Sequence, residues 1–198
     1  MEVNQHEKVI ENHFNAMVDR LLCGETPHYY SQKFNIKDLP DCQNFNHSPN
    51  LDPRFRYLFE ELDTMDKSCL YWFKVQNEEK AAELNNKINK YRLNRGLDGY
   101  RSIPATNKNE RGTILYVGIR RGGKTKYGLT NIVGRINQHL GYYKTATTQG
   151  LQLIHCAKNF DCEITLNVVQ FEDLQNNMYL NIIEKKVAQR LKPLCGRH

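Results

Sequence analysis

The chain has 198 residues, of which 39% are hydrophobic and 25% charged, a composition typical of a globular protein with a buried core. No run approaches the roughly 18 apolar residues that a membrane helix requires, and the first residues, MEVNQHEKVIENHF, lack the pattern of a secretion signal. We therefore expect a cytoplasmic protein without membrane contact, whose six cysteines are free thiols.

The net charge of +6 is unevenly distributed along the chain. Residues 1–66 hold 6 Lys/Arg and 12 Asp/Glu, whereas residues 67–198 hold 22 Lys/Arg and 10 Asp/Glu. We therefore expect an acidic, helical N-terminal extension (1–66) followed by a basic domain (67–198). A basic domain favours a polyanionic partner, and nucleic acid is the first candidate.

The N-terminal part is predicted to be mostly helix and loop. Apolar residues at helical spacing predict a helix over residues 5–22, which Gly24 would end. Residues 25–52 are rich in Pro, Asn and Asp, which is typical of a loop. Asp52 and Pro53 resemble the start of a short helix that would run to about residue 62.

The basic domain alternates predicted strands and helices. Three segments dense in aromatic and β-branched residues predict strands, namely CLYWFKV (69–75), TILYVGI (113–119) and CEITLNVVQF (162–171). Helices are predicted over 77–91 with Asn77 as cap, from Thr130 to Gly141, within 150–158, and from Asp173 to about Leu191. This order predicts an α+β fold in which helices cover a small three-stranded sheet.

Several residues in these elements could carry chemistry. Arg135 and His139 lie four positions apart and so share one helix face, where they could bind a phosphate and transfer a proton. Gly118, in the interior of a strand, indicates a close approach by a ligand or by backbone, next to Tyr116. Glu184 lies beside two isoleucines, so it could be a half-buried metal ligand rather than a surface charge.

These residues together resemble the motifs of the GIY-YIG nuclease family. CLY (69–71) stands at the place of the first motif and keeps its Tyr71, and YVG (116–118) is similar to the second motif. RINQH (135–139) is similar to the family's helix with Arg and His four residues apart. Glu184, followed by Lys-Pro at 192–193, is similar to the final helix, although Gly196 stands where an Asn often follows. The resemblance covers about residues 68–198, and the type II restriction enzymes are the most similar members.

The resemblance implies a metal-dependent DNA endonuclease with an antiparallel three-stranded sheet in a β-β-α-α-β-α core. The chain departs from that pattern by a helical insert between the first two strands, residues 77–112. Glu184 would hold one Mg²⁺ or Mn²⁺ ion, and Arg135 would bind the scissile phosphate. Tyr71, Tyr116 or His139 would deprotonate the attacking water, and all three stay open as the base. A palindromic recognition site would favour a homodimer.

The restriction-enzyme likeness further implies a role in restriction or phage defence. A second hypothesis keeps the same fold but treats the chain as a nucleic-acid-binding module, weakened in cleavage because Gly196 replaces the Asn. A third hypothesis is an interaction protein whose acidic residues 1–66 dock a partner or fold against the basic domain.

Two basic segments are candidates for DNA contact, because Lys and Arg in glycine-rich loops can approach phosphates closely. Cys23 and His28, with the same spacing as Cys42 and His47, could also form a zinc site, although chance spacing is the simpler explanation. The candidate DNA-binding residues are Arg95, Arg101, Arg120, Arg121, Lys124 and Lys126.

Overall fold

The chain folds as an α+β structure in which helices pack on both faces of one antiparallel sheet. The computed structural model describes residues 5–41, 52–107, 111–122, 131–142, 149–172, 174 and 177–196. The elements are α1 (Gln5–Leu22), β1 (Tyr29–Asn35), α2 (Arg56–Phe59), β2 (Ser68–Val75), α3 (Glu78–Arg92), β3 (Ile114–Arg120), α4 (Ile132–Leu140), α5 (Leu153–Cys156), β4 (Glu163–Phe171) and α6 (Asn177–Leu191).

Within the described residues the sheet has four strands in the order β1-β4-β2-β3, and every neighbouring pair is antiparallel. The expected three-stranded sheet is therefore incomplete, because a loop was expected over residues 25–52. That stretch is rich in Pro and Asn overall, but it contains the short strand β1, in which Tyr30 and Phe34 are buried. Residues 1–66 thus contribute one strand to the sheet of the basic domain.

The sheet separates two apolar layers. On one face, Tyr71 and Phe73 of β2 pack with helices α2 to α5 in the larger core. On the other face, Leu70 and Trp72 pack with α1 and α6, and Val187 belongs to this smaller core. The alternation of β2 explains both contacts, since successive side chains of a strand point to opposite faces. None of the helices in the described ranges is long and apolar enough to cross a membrane.

Local capping signals explain several of the helix boundaries. The side chain of Asn77 accepts a hydrogen bond from the Lys80 N–H at the start of α3, as predicted. Helix α4 ends at Gly141, whose φ of 104° is accessible to glycine, and Asn131 caps its start. Thr130, the predicted start, lies outside the described residues. The predicted cap Asp173 also lies outside them.

Two predicted helices are much shorter than expected. The helix expected to reach about residue 62 consists only of α2, followed by a 3-10 turn at Leu62–Thr64. The apolar segment 150–158 contains only the four residues of α5. The apolar side chains of both segments belong to the larger core, so their apolar content reflects burial rather than helix length.

Candidate functional site

The register between β2 and β3 places the candidate strand residues on one face of the sheet. Tyr71 pairs with Gly118, and Phe73 pairs with Tyr116. Tyr116 lies two positions before Gly118 and so faces the larger core with it. The register shifts after Phe73, which leaves Leu115 as the unpaired residue of a bulge. Tyr71 and Tyr116 consequently lie next to each other, with their ring centroids 6.1 Å apart.

Gly118 is required by Tyr71 rather than by a ligand. A Cβ atom at position 118 would lie 2.5 Å from the hydroxyl oxygen of Tyr71 and 2.7 Å from the ring of Tyr116. The close approach expected from a ligand or from backbone is therefore made by two side chains, those of Tyr71 and Tyr116. Because Gly118 has no Cβ atom, the buried phenol of Tyr71 can lie across β3 at this position.

Helix α4 brings Arg135 and His139 against the two tyrosines. The Nε of Arg135 donates to the hydroxyl oxygen of Tyr71 at 2.9 Å, and its Nη2 lies 3.4 Å from that of Tyr116. The Nη1 donates to the side chain of Gln138 and to the carbonyl oxygen of Gln149, both at 2.9 Å. Four contacts thus hold the guanidinium in one orientation, half-buried between the strands and α4.

His139 is a neutral, buried side chain. The Leu151 N–H donates to its Nδ1 at 3.2 Å, so this nitrogen carries no hydrogen. Burial, and then the charge of Arg135, hold the pKa of His139 well below its ordinary value. The remaining hydrogen is therefore on Nε2, which lies 3.0 Å from the hydroxyl oxygen of Tyr71. With 0% exposure and both nitrogens engaged, His139 orients Tyr71 and has no access to an attacking water.

Tyr71 and Tyr116 have different environments. The Tyr71 oxygen accepts hydrogen bonds from Arg135 and His139, so its own hydrogen points to neither of them. Tyr71 is 0% exposed, and burial raises its pKa although Arg135 opposes the shift. Tyr116 is partly exposed and shares the same guanidinium. Of the three residues proposed as the base, Tyr116 is the one that solvent can reach.

Glu184 lies on α6, which packs along β2 and β3. Burial raises the pKa of its carboxyl group, and the charges of Arg135 and Lys185 oppose this shift. The charge of Arg135 acts on Glu184, and the charge of Glu184 in turn raises the pKa of Tyr71. The structure therefore brings Tyr71, Tyr116, Arg135 and His139 into contact. Glu184 stands apart from this contact group, on the helix that packs against the other face of the sheet, and interacts with Arg135 and Tyr71 only electrostatically.

A divalent ion fits this carboxylate, although the described residues supply few other ligands. Among them, no three His, Cys, Asp or Glu side chains form a metal-binding group. Mg²⁺, however, is often held by one or two carboxylates, with water and substrate phosphate as the other ligands. The half-buried Glu184 matches this kind of site, because bound positive charge would offset the burial that disfavours its ionised form.

The predicted DNA-binding residues divide into three groups. Arg120 follows Gly118 on the same face, and its pKa is lowered by burial and by the nearby Arg135, so it belongs to the site. Arg121 and Arg95 are exposed, whereas Arg101 is half-buried, with its backbone N–H bonded to the hydroxyl of Tyr91. Two of the predicted residues lie outside the described ranges, Lys124 and Lys126.

Gly196 has a structural reason to be a glycine. Its φ is 116°, and its N–H donates to the carbonyl oxygen of Ala105 at 2.8 Å. The preceding Leu194 and Cys195 bond through their N–H groups to the carbonyls of β3, which covers the edge of that strand. An Asn at position 196 would be strained by this backbone conformation.

The hypothesis of a zinc site has little support within the described ranges. Cys23 is exposed, and His28 lies 2.8 Å from the carboxylate of Glu172. The other two residues of the pattern, Cys42 and His47, lie outside the described residues.

Sequence reasoning missed the residues that support Arg135 and His139. Gln138, the carbonyl oxygen of Gln149 and the N–H of Leu151 make these contacts. Gln138 sits three positions after Arg135 on the same helix, a spacing that could have indicated it. The backbone groups carry no sequence signal, because any residue could supply them.

No family model, curated protein or solved structure matches this chain. The arrangement of its own residues is therefore the basis for assigning a function.

Proposed function

We propose that the chain is a divalent-metal-dependent DNA endonuclease of the GIY-YIG type, with a role in restriction or defence. The observation that carries this proposal is the shared contact of one guanidinium with two tyrosines. Arg135 bonds Tyr71 and Tyr116, and Glu184 lies within its electrostatic reach. A half-buried cation beside a reachable hydroxyl and a carboxylate suits hydrolysis of a phosphodiester.

In the proposed reaction, Arg135 binds a non-bridging oxygen of the scissile phosphate and stabilises the added negative charge of the transition state. Arg120, on the same face, binds the same or a neighbouring phosphate. Tyr116, as its phenolate, accepts the proton of the attacking water while the water oxygen bonds to phosphorus and the bond from phosphorus to the leaving oxygen breaks. The positive charge of Arg135 stabilises the phenolate. His139 orients Tyr71, and the Tyr71 hydroxyl oxygen accepts from the Nε of Arg135 and holds the guanidinium in place.

Glu184 would hold the divalent ion, which would supply positive charge for the oxygen that leaves the phosphorus. The matching elements β2, β3, α4, α5, β4 and α6 follow the order expected for this family, with α3 as the insert. Strand β1 and helix α1 are additional to that core.

The test is cleavage of supercoiled plasmid in Mg²⁺ by the full chain, by Glu184→Gln and by Glu60→Gln as a matched control on an exposed helix end. We expect nicked or linear DNA from the wild type and from the control, and none from Glu184→Gln or in the presence of EDTA. Equal cleavage by Glu184→Gln would contradict the assigned metal ligand.

A second candidate is a nucleic-acid-binding module of the same fold, which Gly196 favours because it cannot supply the amide that is often present there. Binding of DNA by a purified chain that cleaves no substrate in Mg²⁺ or Mn²⁺ would select this alternative.

A further inference from the structure

The insert between β2 and β3 carries an exposed basic surface with two leucines. We call residues 90–102 the insert lobe. All residues from 93 to 99 are exposed, and Leu93 and Leu97 are 83% and 65% exposed. Isolated apolar residues on a surface need no explanation, but here two leucines, four positions apart, are exposed on one lobe together with its cations.

This lobe has an ordered backbone that presents the leucines outward. The N–H groups of Asn94, Leu97 and Tyr100 bond to carbonyl oxygens three positions earlier, at 3.0, 3.0 and 3.2 Å. The rings of Tyr91 and Tyr100 stack with centroids 5.3 Å apart, which closes the base of the lobe. The two leucines are therefore held on a supported turn, so their exposure does not result from a loose chain end.

The charge of the lobe favours a polyanion. It contains Lys90, Arg92, Arg95 and Arg101 and one acid, Asp98, so its net charge is +3. The Asp98 carboxylate accepts the Gly99 N–H at 2.9 Å and thus completes the turn. Arg92 is engaged internally, with Asn89, Thr106 and the carbonyl of Pro104 as acceptors. Arg95 is exposed at the tip and is the lobe's candidate for a phosphate contact.

A hydrogen bond joins the lobe to the segment that supports the candidate site. The Gly150 N–H donates to the carbonyl oxygen of Ser102 at 3.3 Å, and the neighbouring Gln149 carbonyl accepts from Arg135. Because five residues span at most about 17 Å, Leu97 lies within that distance of Ser102. The tip is therefore within roughly one turn of a duplex, ~34 Å, from the candidate site.

We propose that the insert lobe contacts duplex DNA beside the cleavage site, with Arg95 on a backbone phosphate and the exposed Leu97 as an apolar wedge in the minor groove. This inference rests on the proposed function, since it takes DNA as the substrate. Apolar wedges flanked by cationic side chains part base steps and bend the duplex, which would strengthen binding beyond the catalytic residues. Because such a wedge acts between stacked base pairs, the lobe would also favour duplex over single-stranded DNA.

The test uses the full chain carrying Glu184→Gln, so that binding is measured without cleavage. Its ligand is a duplex of about 30 base pairs, roughly three helical turns, containing a fluorescent adenine analogue that brightens when unstacked. We expect Leu97→Ala to weaken binding roughly tenfold, the scale set by burying a leucine, and to abolish the brightening. Arg95→Gln should lower the salt slope of binding by about 0.9. Ile10→Ala and Arg56→Gln are the matched exposed controls.

The outcomes separate this inference from the proposed function. If wild type cleaves plasmid while the Leu97 and Arg95 variants bind duplex as tightly as the controls, the lobe is no DNA contact and the nuclease proposal stands. If the variants lose duplex affinity but no substrate is cleaved, the lobe is confirmed and the nuclease proposal fails. Tighter binding to single-stranded than to duplex DNA, or no DNA binding at all, would overturn the lobe's role.

Discussion

The Nε of Arg135 and the hydroxyl oxygen of Tyr71 lie 2.9 Å apart, although 64 positions separate the two residues in the chain. The same oxygen lies 3.0 Å from the Nε2 of His139. Two donors on one buried phenol hold it rigidly, and the guanidinium that bonds it also reaches Tyr116. The site is thus preorganised around a cation whose direction is set before any substrate binds.

Tyr71→Phe is expected to destabilise the fold. Removing the hydroxyl leaves Arg135 Nε and His139 Nε2 without their buried acceptor, which costs about 1–3 kcal/mol. Urea unfolding measures the change, with the exposed Tyr57→Phe as the control, whose lost hydrogen bond water can replace. An unchanged free energy of unfolding for Tyr71→Phe would contradict the double acceptor role.

Tyr116→Phe should separate activity from stability. Its hydroxyl is on a partly exposed ring, so we expect a change in unfolding free energy below about 1 kcal/mol. Cleavage should fall by about 10²-fold or more, because a general base is removed. The measurement is the single-turnover rate on plasmid DNA. Full activity in Tyr116→Phe, with a folded but inactive Tyr71→Phe, would reassign the base to Tyr71.

Arg135→Lys is expected to reduce cleavage although the charge is kept. A single ammonium group cannot bond Tyr71, Tyr116 and Gln138 in the directions that the guanidinium does. We expect a rate loss of about 10²–10³-fold, comparable to removing a transition-state donor. Arg190→Lys is the control, since Arg190 pairs with Asp19 on the surface. Equal rates for both variants would show that charge alone is sufficient.

Gly118→Ala should destabilise the sheet and displace Tyr71. The new methyl group would lie 2.5 Å from the Tyr71 hydroxyl oxygen, a distance that requires the ring to move. Overpacking of this kind costs about 1–3 kcal/mol. The free energy of unfolding, measured in urea, and the cleavage rate are both expected to fall. Lys74→Ala, at an exposed position of β2, should change neither greatly. Wild-type stability of Gly118→Ala would be inconsistent with the observed close approach.

His139 should make the fold sensitive to acid. Its folded-state pKa lies well below the unfolded value of about 6.5, so the unfolded chain binds the proton more strongly. Stability is therefore fully present above about pH 6.5 and is lost as the pH falls, by at most ~1.4 kcal/mol per pH unit. Urea unfolding at a series of pH values below about 6.5 measures the slope of the unfolding free energy against pH.

The same slope should be shallower in His139→Gln. His155, whose pKa is also lowered by burial, contributes with the same sign, so His155→Gln serves for comparison. An identical slope for wild type and His139→Gln would show that His139 is not held neutral.

The local signals of the chain predicted much of the fold. The three strands of the basic domain, the cap at Asn77 and the end of α4 at Gly141 follow from side-chain periodicity and from backbone preferences of neighbouring residues. Strand β1 was missed because its polar composition resembles a loop, and its stability comes from pairing with β4. Residues that act through the backbone, such as Leu151, could not have been predicted.

The sequence alone predicted which residues make up the candidate site, namely Tyr71, Tyr116, Arg135, His139 and Glu184. Their roles are not, because a pKa and an orientation depend on neighbours that are distant in the chain. The pairing of β2 with β3 sets Tyr71 opposite Gly118, and the packing of α4 makes His139 a buried neutral donor. Register and burial are non-local properties, so only the folded chain distinguishes the supporting hydroxyl of Tyr71 from the accessible hydroxyl of Tyr116.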